Sequence, residues 1–104
     1  MSEFVSVAEV ASLLPGQGRT VNYRGKEYAL YNVDGIFHAM DDACSHKGGP
    51  LGAGCLDGEK VYCPLHGWAF DIKTGICEAR PDLPVRTYET RVEGDHVQIK
   101  IELS

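Results

Sequence analysis

The sequence predicts an all-β protein, a small antiparallel sandwich or barrel. Three observations predict it. Twelve glycines and five prolines cut the 104 residues into pieces too short for long helices. The last piece alternates strictly: Val97, Ile99, Ile101 and Leu103 interleave with His96, Gln98, Lys100 and Glu102, the period of a half-buried strand. Glycine-containing turns recur between the apolar runs, which is the spacing of hairpins rather than of strand–helix units.

Taken in order, the N-terminal stretch is the place for a helix: Ser6 is a candidate cap for a short piece over Val7–Leu14, ended by Pro15-Gly16. Everything after it is expected to be strand, turn or loop. Arg24-Gly25-Lys26 is a turn. Lys26–Val33 is aromatic and aliphatic and stops at Asp34-Gly35, and Ile36–Met40 follows at once. Asp-Gly between two apolar runs is a strong hairpin signal, because the tight turn needs positive φ there. Asp57-Gly58, Lys73-Thr74-Gly75 and Glu93-Gly94-Asp95 are further turns. The total is about eight to ten short strands in one domain spanning 1–104, an ordinary size for a single core. Two stretches do not alternate, Asp42–Gly54 and Cys63–Gly67. Both are rich in Gly, Pro, Cys and His, and they are the loops in which to look for chemistry.

Composition narrows the function. Hydrophobic residues at 43% and charged residues at 24% exclude a disordered or fibrous chain. Ten Lys and Arg against fifteen Asp and Glu give a net charge of −5, which disfavours nucleic acid and anionic membranes as partners. No apolar run approaches the roughly 18–20 residues needed to span a bilayer. Met1-Ser2-Glu3-Phe4 has neither the basic nor the apolar region of an export signal, so a cytoplasmic location is expected. In a reducing compartment, Cys44, Cys55, Cys63 and Cys77 are metal ligands or thiols rather than disulfides.

The first loop runs Cys44-Ser45-His46-Lys47-Gly48-Gly49-Pro50-Leu51 and the second Cys63-Pro64-Leu65-His66-Gly67-Trp68. The pattern is C-x-H, sixteen residues, then C-x-x-H, with a hairpin between that can bring the loops face to face. Two thiols and two imidazoles in paired short spacings suit a soft or borderline metal, zinc or iron–sulfur. A zinc finger of the usual kind groups its cysteines in one pair and its histidines, on a helix, in the other. Here each pair is mixed, yet zinc ribbons can be mixed too, so spacing alone leaves both metals open.

Cys44-x-His46 followed by Cys63-Pro64-x-His66-Gly67 resembles the Rieske [2Fe–2S] signature. Gly52-x-Gly54-x-Leu56-x-Gly58, Phe70-Asp71-x-x-Thr74-Gly75 and the stretch Pro81–Val97 extend the resemblance from about Phe37 onward. The resemblance implies a Rieske-type fold with a cluster-binding subdomain at about 42–78. It implies one [2Fe–2S] cluster per chain, with Cys44 and Cys63 on one iron and His46 and His66 on the other. It places both histidines at the protein tip, with their outer ring nitrogens facing solvent as the electron exit.

Two thiolates in place of four make the centre less negative, so it accepts an electron more readily. Rieske potentials accordingly span about −150 to +300 mV against about −400 mV for plant-type ferredoxins. High-potential members brace the loops with a disulfide, at positions that correspond here to Gly49 and Leu65, and supply serine and tyrosine hydroxyls to the cluster. Trp68 and Phe70 offer none, so a potential within about 100 mV of the lower end is expected. Pro50, Leu51, Leu65 and Trp68 either wall the cluster or are ordinary loop packing.

Other candidates are set aside. Cys55 and Cys77 are expected to be small buried side chains, and His38 and His96 structural or solvated. Asp41-Asp42 is expected to be a solvated charge pair, with turn capping or partner contact as the alternatives, and Lys47 a charge for partner docking.

The resemblance implies a soluble, monomeric one-electron carrier, not an enzyme. It would pass electrons from a flavin-dependent NAD(P)H reductase to a terminal, ring-hydroxylating-type oxygenase. The chain is too short to hold the second, mononuclear iron domain of the oxygenase itself. Two alternatives remain: a small Rieske-type subunit of an assimilatory nitrite reductase, docked on its large subunit, and a structural zinc domain for protein binding.

Overall fold

The computed structural model describes residues 2–44, 49–65 and 67–102. The strands there are β1 (Ser2–Glu9), β2 (Gly18–Tyr23), β3 (Lys26–Val33), β4 (Ile36–Asp41), β5 (Cys55–Asp57), β6 (Lys60–Tyr62), β7 (Ala69–Asp71), β8 (Thr87–Tyr88), β9 (Thr90–Glu93) and β10 (His96–Glu102). They form three antiparallel sheets, ordered β1-β10-β9, β2-β3-β4-β8 and β5-β6-β7. No helix among the described residues is long and apolar enough to cross a membrane.

The turns explain the sheets. Gly25, Gly35, Gly58, Gly75 and Gly94 all adopt positive φ, and Arg24 and Asp34 join Gly25 and Gly35 there. Positive φ at both central residues is what a two-residue hairpin needs to match the strand twist. Arg24-Gly25 and Asp34-Gly35 thus fold β2, β3 and β4 into a meander.

The expected helix over Val7–Leu14 is absent. Ser2–Glu9 is strand, followed by one 3-10 turn at Val10–Ser12. β1 pairs along almost the whole of β10, with one irregularity between Ser6 and Ala8, and the pairing buries Val5 opposite Ile99. Ser6 caps nothing; its hydroxyl accepts a hydrogen bond from Gln98 Nε2 at 3.1 Å. An eight-residue helix is marginal by itself, and pairing with the last strand outweighs it.

The β2–β4 sheet is the middle layer. Tyr28–Asn32 are all buried in β3, although successive side chains point to opposite faces. Tyr28, Leu30, Val21, Phe37 and Ala39 pack against Val5, Val97, Ile99 and Ile101 of the first sheet. Ala29, Tyr31 and Met40 pack on the other face against Val61, Phe70 and Ile72, together with Leu51, Cys44, Cys63 and Cys77. The middle sheet is therefore the floor on which the small β5–β7 sheet and both cysteine loops rest.

Candidate metal centre

Each cysteine loop is the end of a hairpin whose stem closes at the cysteine. In the first, Ala43 and Pro50 form an antiparallel bridge, Leu51 N–H donates to the Asp42 carbonyl (2.7 Å), and Cys44 N–H donates to the Gly49 carbonyl (2.8 Å). In the second, β6 and β7 run together up to Tyr62 and Ala69. Cys63 N–H then donates to the Trp68 carbonyl (2.8 Å), and Gly67 N–H returns to the Cys63 carbonyl (2.9 Å). Gly67 has φ +70°, the left-handed turn that ends this loop.

The two stems touch. A Cβ built on Gly49 would lie 2.9 Å from Leu65 Cγ and 3.1 Å from Cys63 Sγ. Gly49 is also the hydrogen-bonded partner of Cys44, so a single residue without a side chain separates the two cysteines. Both are buried, at 4% and 2% exposure, and neither forms a disulfide. The same contact puts Gly49 against Leu65, the two positions that correspond to the bracing disulfide of high-potential Rieske proteins. Neither residue can supply sulfur.

Behind the first loop lies a polar brace. Asp42 is buried, not the solvated charge expected of an Asp-Asp pair: its Oδ1 accepts hydrogen bonds from Thr20 Oγ1 and Gly52 N–H, both at 2.8 Å. Only Asp41 is half-exposed, accepting from the Tyr88 hydroxyl (2.6 Å) and paired with Lys26 (3.2 Å). Gly52 lies so close to β2 that a Cβ would meet Thr20 Oγ1 at 2.5 Å and the Arg19 and Thr20 backbone at 2.6 Å. Tyr31 donates its hydroxyl to the Leu51 carbonyl. Burial first, then the charges of Asp42 and Cys63, push that hydroxyl well above the ordinary tyrosine range.

Thr20, Tyr31 and the burial of Asp42 escaped the sequence analysis. One signal was available: Tyr31 lies in a strand buried on both faces, and a buried phenol needs an acceptor.

His46 and His66, as well as Lys47, lie outside the described residues. Leu51 is fully buried beneath the first loop, Trp68 packs partly against the core, and Pro50 and Leu65 are exposed. Cys77 is buried and bridges to Phe70, whereas Cys55 is exposed, contrary to expectation, because the short β5 turns it outward. His38 is half-buried, and His96 lies on the exposed face of β10.

The described residues fit an iron–sulfur group. They supply two buried thiols, soft donors outside any disulfide, on adjoining stems, and the gap at Gly49 that keeps those stems in contact would be filled by any Cβ. Among the described residues no group of three or more His, Cys, Asp or Glu side chains is placed to hold a metal ion, here or elsewhere, so these two thiols are the ligands the described part of the chain offers.

Comparison with known proteins agrees. The ferredoxin component of a naphthalene 1,2-dioxygenase system from Pseudomonas putida is 32% identical over 103 residues, covering 98% of this chain and 97% of its own. A solved complex of reduced oxygenase and oxidized ferredoxin in carbazole 1,9a-dioxygenase contains a chain that is 34% identical, with a TM-score of 0.84, covering 92% of this chain and 91% of that one. A chain described as the small subunit of an NADH-dependent nitrite reductase from Mycobacterium tuberculosis has a TM-score of 0.89 over 100% of this chain and 99% of its own. At 24% identity that likeness shows the fold alone. The profile of the Rieske [2Fe–2S] domain matches residues 3–89. The chain therefore belongs to the Rieske [2Fe–2S] domain family, and its cofactor is a [2Fe–2S] cluster.

Proposed function

We propose that this protein carries single electrons from a flavin-dependent NAD(P)H reductase to a terminal oxygenase, with Cys44 and Cys63 on one iron and His46 and His66 on the other. It is an electron-transfer component of the dioxygenase-ferredoxin kind and catalyses no bond chemistry of its own. The bound cluster supplies a one-electron couple. The chain shields the thiolates from water, and residues 42–78 are the cluster-binding part of a single domain.

The observation that carries this reading is the pair of buried cysteines at the closing rungs of two touching hairpins. Relatives above 30% identity that match this chain over nearly all of their own length include ferredoxins of naphthalene and biphenyl dioxygenase systems, and this favours the oxygenase route over nitrite reductase. The family match displaces the zinc alternative. With Gly49 and Leu65 in place of a disulfide, and without hydroxyls at Trp68 and Phe70, the centre belongs within about 100 mV of the low end of the family range.

The test begins with oxygen-free purification, iron and sulfide analysis, and EPR of the dithionite-reduced protein. Two irons, two sulfides and a Rieske-type signal are expected, with loss of both in Cys44→Ser and Cys63→Ser. NADH with a flavin reductase should then reduce the protein, and a terminal oxygenase should reoxidise it. A colourless, zinc-loaded preparation, or a midpoint clearly above zero, overturns the corresponding part.

A further inference from the structure

Asn32 and Asp42 are the buried polar or charged side chains among the described residues. Asn32 is accounted for by its turn: Nδ2 donates to the Leu13 carbonyl (2.9 Å) and Oδ1 accepts from Gly35 N–H (2.7 Å). Asp42 presents a different case. Its Oδ1 takes two neutral donors, Thr20 Oγ1 and Gly52 N–H. An asparagine Oδ1 could accept both bonds equally well. What a carboxylate adds is a full negative charge, and burying one is costly. Among the described residues no lysine or arginine forms an ion pair with it.

That charge lies close to the first cysteine. Asp42 precedes Cys44 by two residues, roughly 7 Å of chain, and its Oδ1 takes the Gly52 N–H next to the Leu51 carbonyl that Tyr31 holds. Asp42 is itself buried, at 5% exposure, so its field is screened less than that of a surface carboxylate. A fixed negative charge makes addition of an electron less favourable.

We propose that Asp42 is a positioning residue for the first cysteine loop and, through its buried charge, lowers the reduction potential of the centre. This rests on the cluster assignment above. One oxygen ties the loop to β2 through Thr20 and to its own far side through Gly52, while the charge sets how readily the centre takes its electron.

The test separates the two roles. Asp42→Asn keeps an acceptor for both donors and removes the charge. A unit charge at roughly 10 Å and an effective dielectric constant of about 20 is worth about tenfold in an equilibrium constant. Asp42→Asn is therefore expected to raise the midpoint by about 59 mV, the tenfold step for one electron, with iron content and reduced EPR line shape unchanged. A midpoint within about twofold of the parent in reduction equilibrium overturns the proposal. Thr20→Val keeps the charge but removes a donor dipole that offsets it, so the midpoint should fall, by about twofold in the same equilibrium. An unchanged or raised midpoint in Thr20→Val also overturns the proposal, and this variant decides alone if Asp42→Asn assembles no cluster. Absence of iron and sulfide from the parent protein would instead defeat the cluster assignment, a distinct result.

Discussion

The two cysteine loops present the same chemistry on different foundations. The second is held by its own hairpin: the β6–β7 ladder runs into Cys63 and Trp68, and backbone hydrogen bonds close its stem. The first has only a short stem, and side chains from the middle sheet complete it. Thr20 comes from β2 and Tyr31 from β3, meeting Asp42, Gly52 and Leu51. One loop depends on local sequence and the other on contacts 20 to 22 residues away. The first should therefore be the more sensitive to changes outside itself.

The strongest way to break the contrast is Leu51→Ala. Leu51 is fully buried between the first loop and the middle sheet, so its truncation should cost about 2–5 kcal/mol and speed iron loss to a chelator. Equal stability in urea denaturation would show the loop to be independent of its floor. Tyr31→Phe is gentler: it leaves the Leu51 carbonyl without its phenol and should cost about 1–3 kcal/mol. Hydrogen exchange should accelerate at Leu51 N–H and Gly52 N–H but not at Cys63 N–H. Gly67→Ala tests the other loop. A Cβ there meets nothing within 4 Å among the described residues, so the expected cost is that of the left-handed backbone, about 1–2 kcal/mol. Exchange should then change at Cys63 N–H and spare Leu51, the reverse of Tyr31→Phe.

The smallest expected effect concerns pH. His38, on β4, is half-buried, and burial first, then the charge of Lys73, lowers its pKa. A depressed folded value means that its contribution is present above the ordinary histidine pKa of about 6.5 and is lost as pH falls through the folded value. His38→Gln should therefore flatten the decline of the urea midpoint between about pH 7.5 and pH 5. An unaltered slope would place the acid sensitivity elsewhere.

The same division between local and distant contacts governs what the sequence disclosed. Asp34-Gly35 predicts the β3–β4 hairpin because the turn is written in two adjacent residues, and the alternation of the final strand is equally local. The cysteine–histidine spacing disclosed both loops for the same reason. The N-terminal strand was hidden because its partner is β10, over ninety positions away in the hydrogen bond from Gln98 to Ser6. Asp42 looked solvated because the groups that bury it, Thr20 and Gly52, lie on other elements. Cys55 looked buried by residue type alone, and its exposure follows from a three-residue strand with one face open to water.

That open face makes the protein addressable at one atom. Cys44, Cys63 and Cys77 are sealed in the core, while the Cys55 thiol stands in solvent. A maleimide dye at neutral pH should therefore couple at a single position. It would provide a spectator on the flank of the small sheet from which the approach of another protein can be followed by fluorescence.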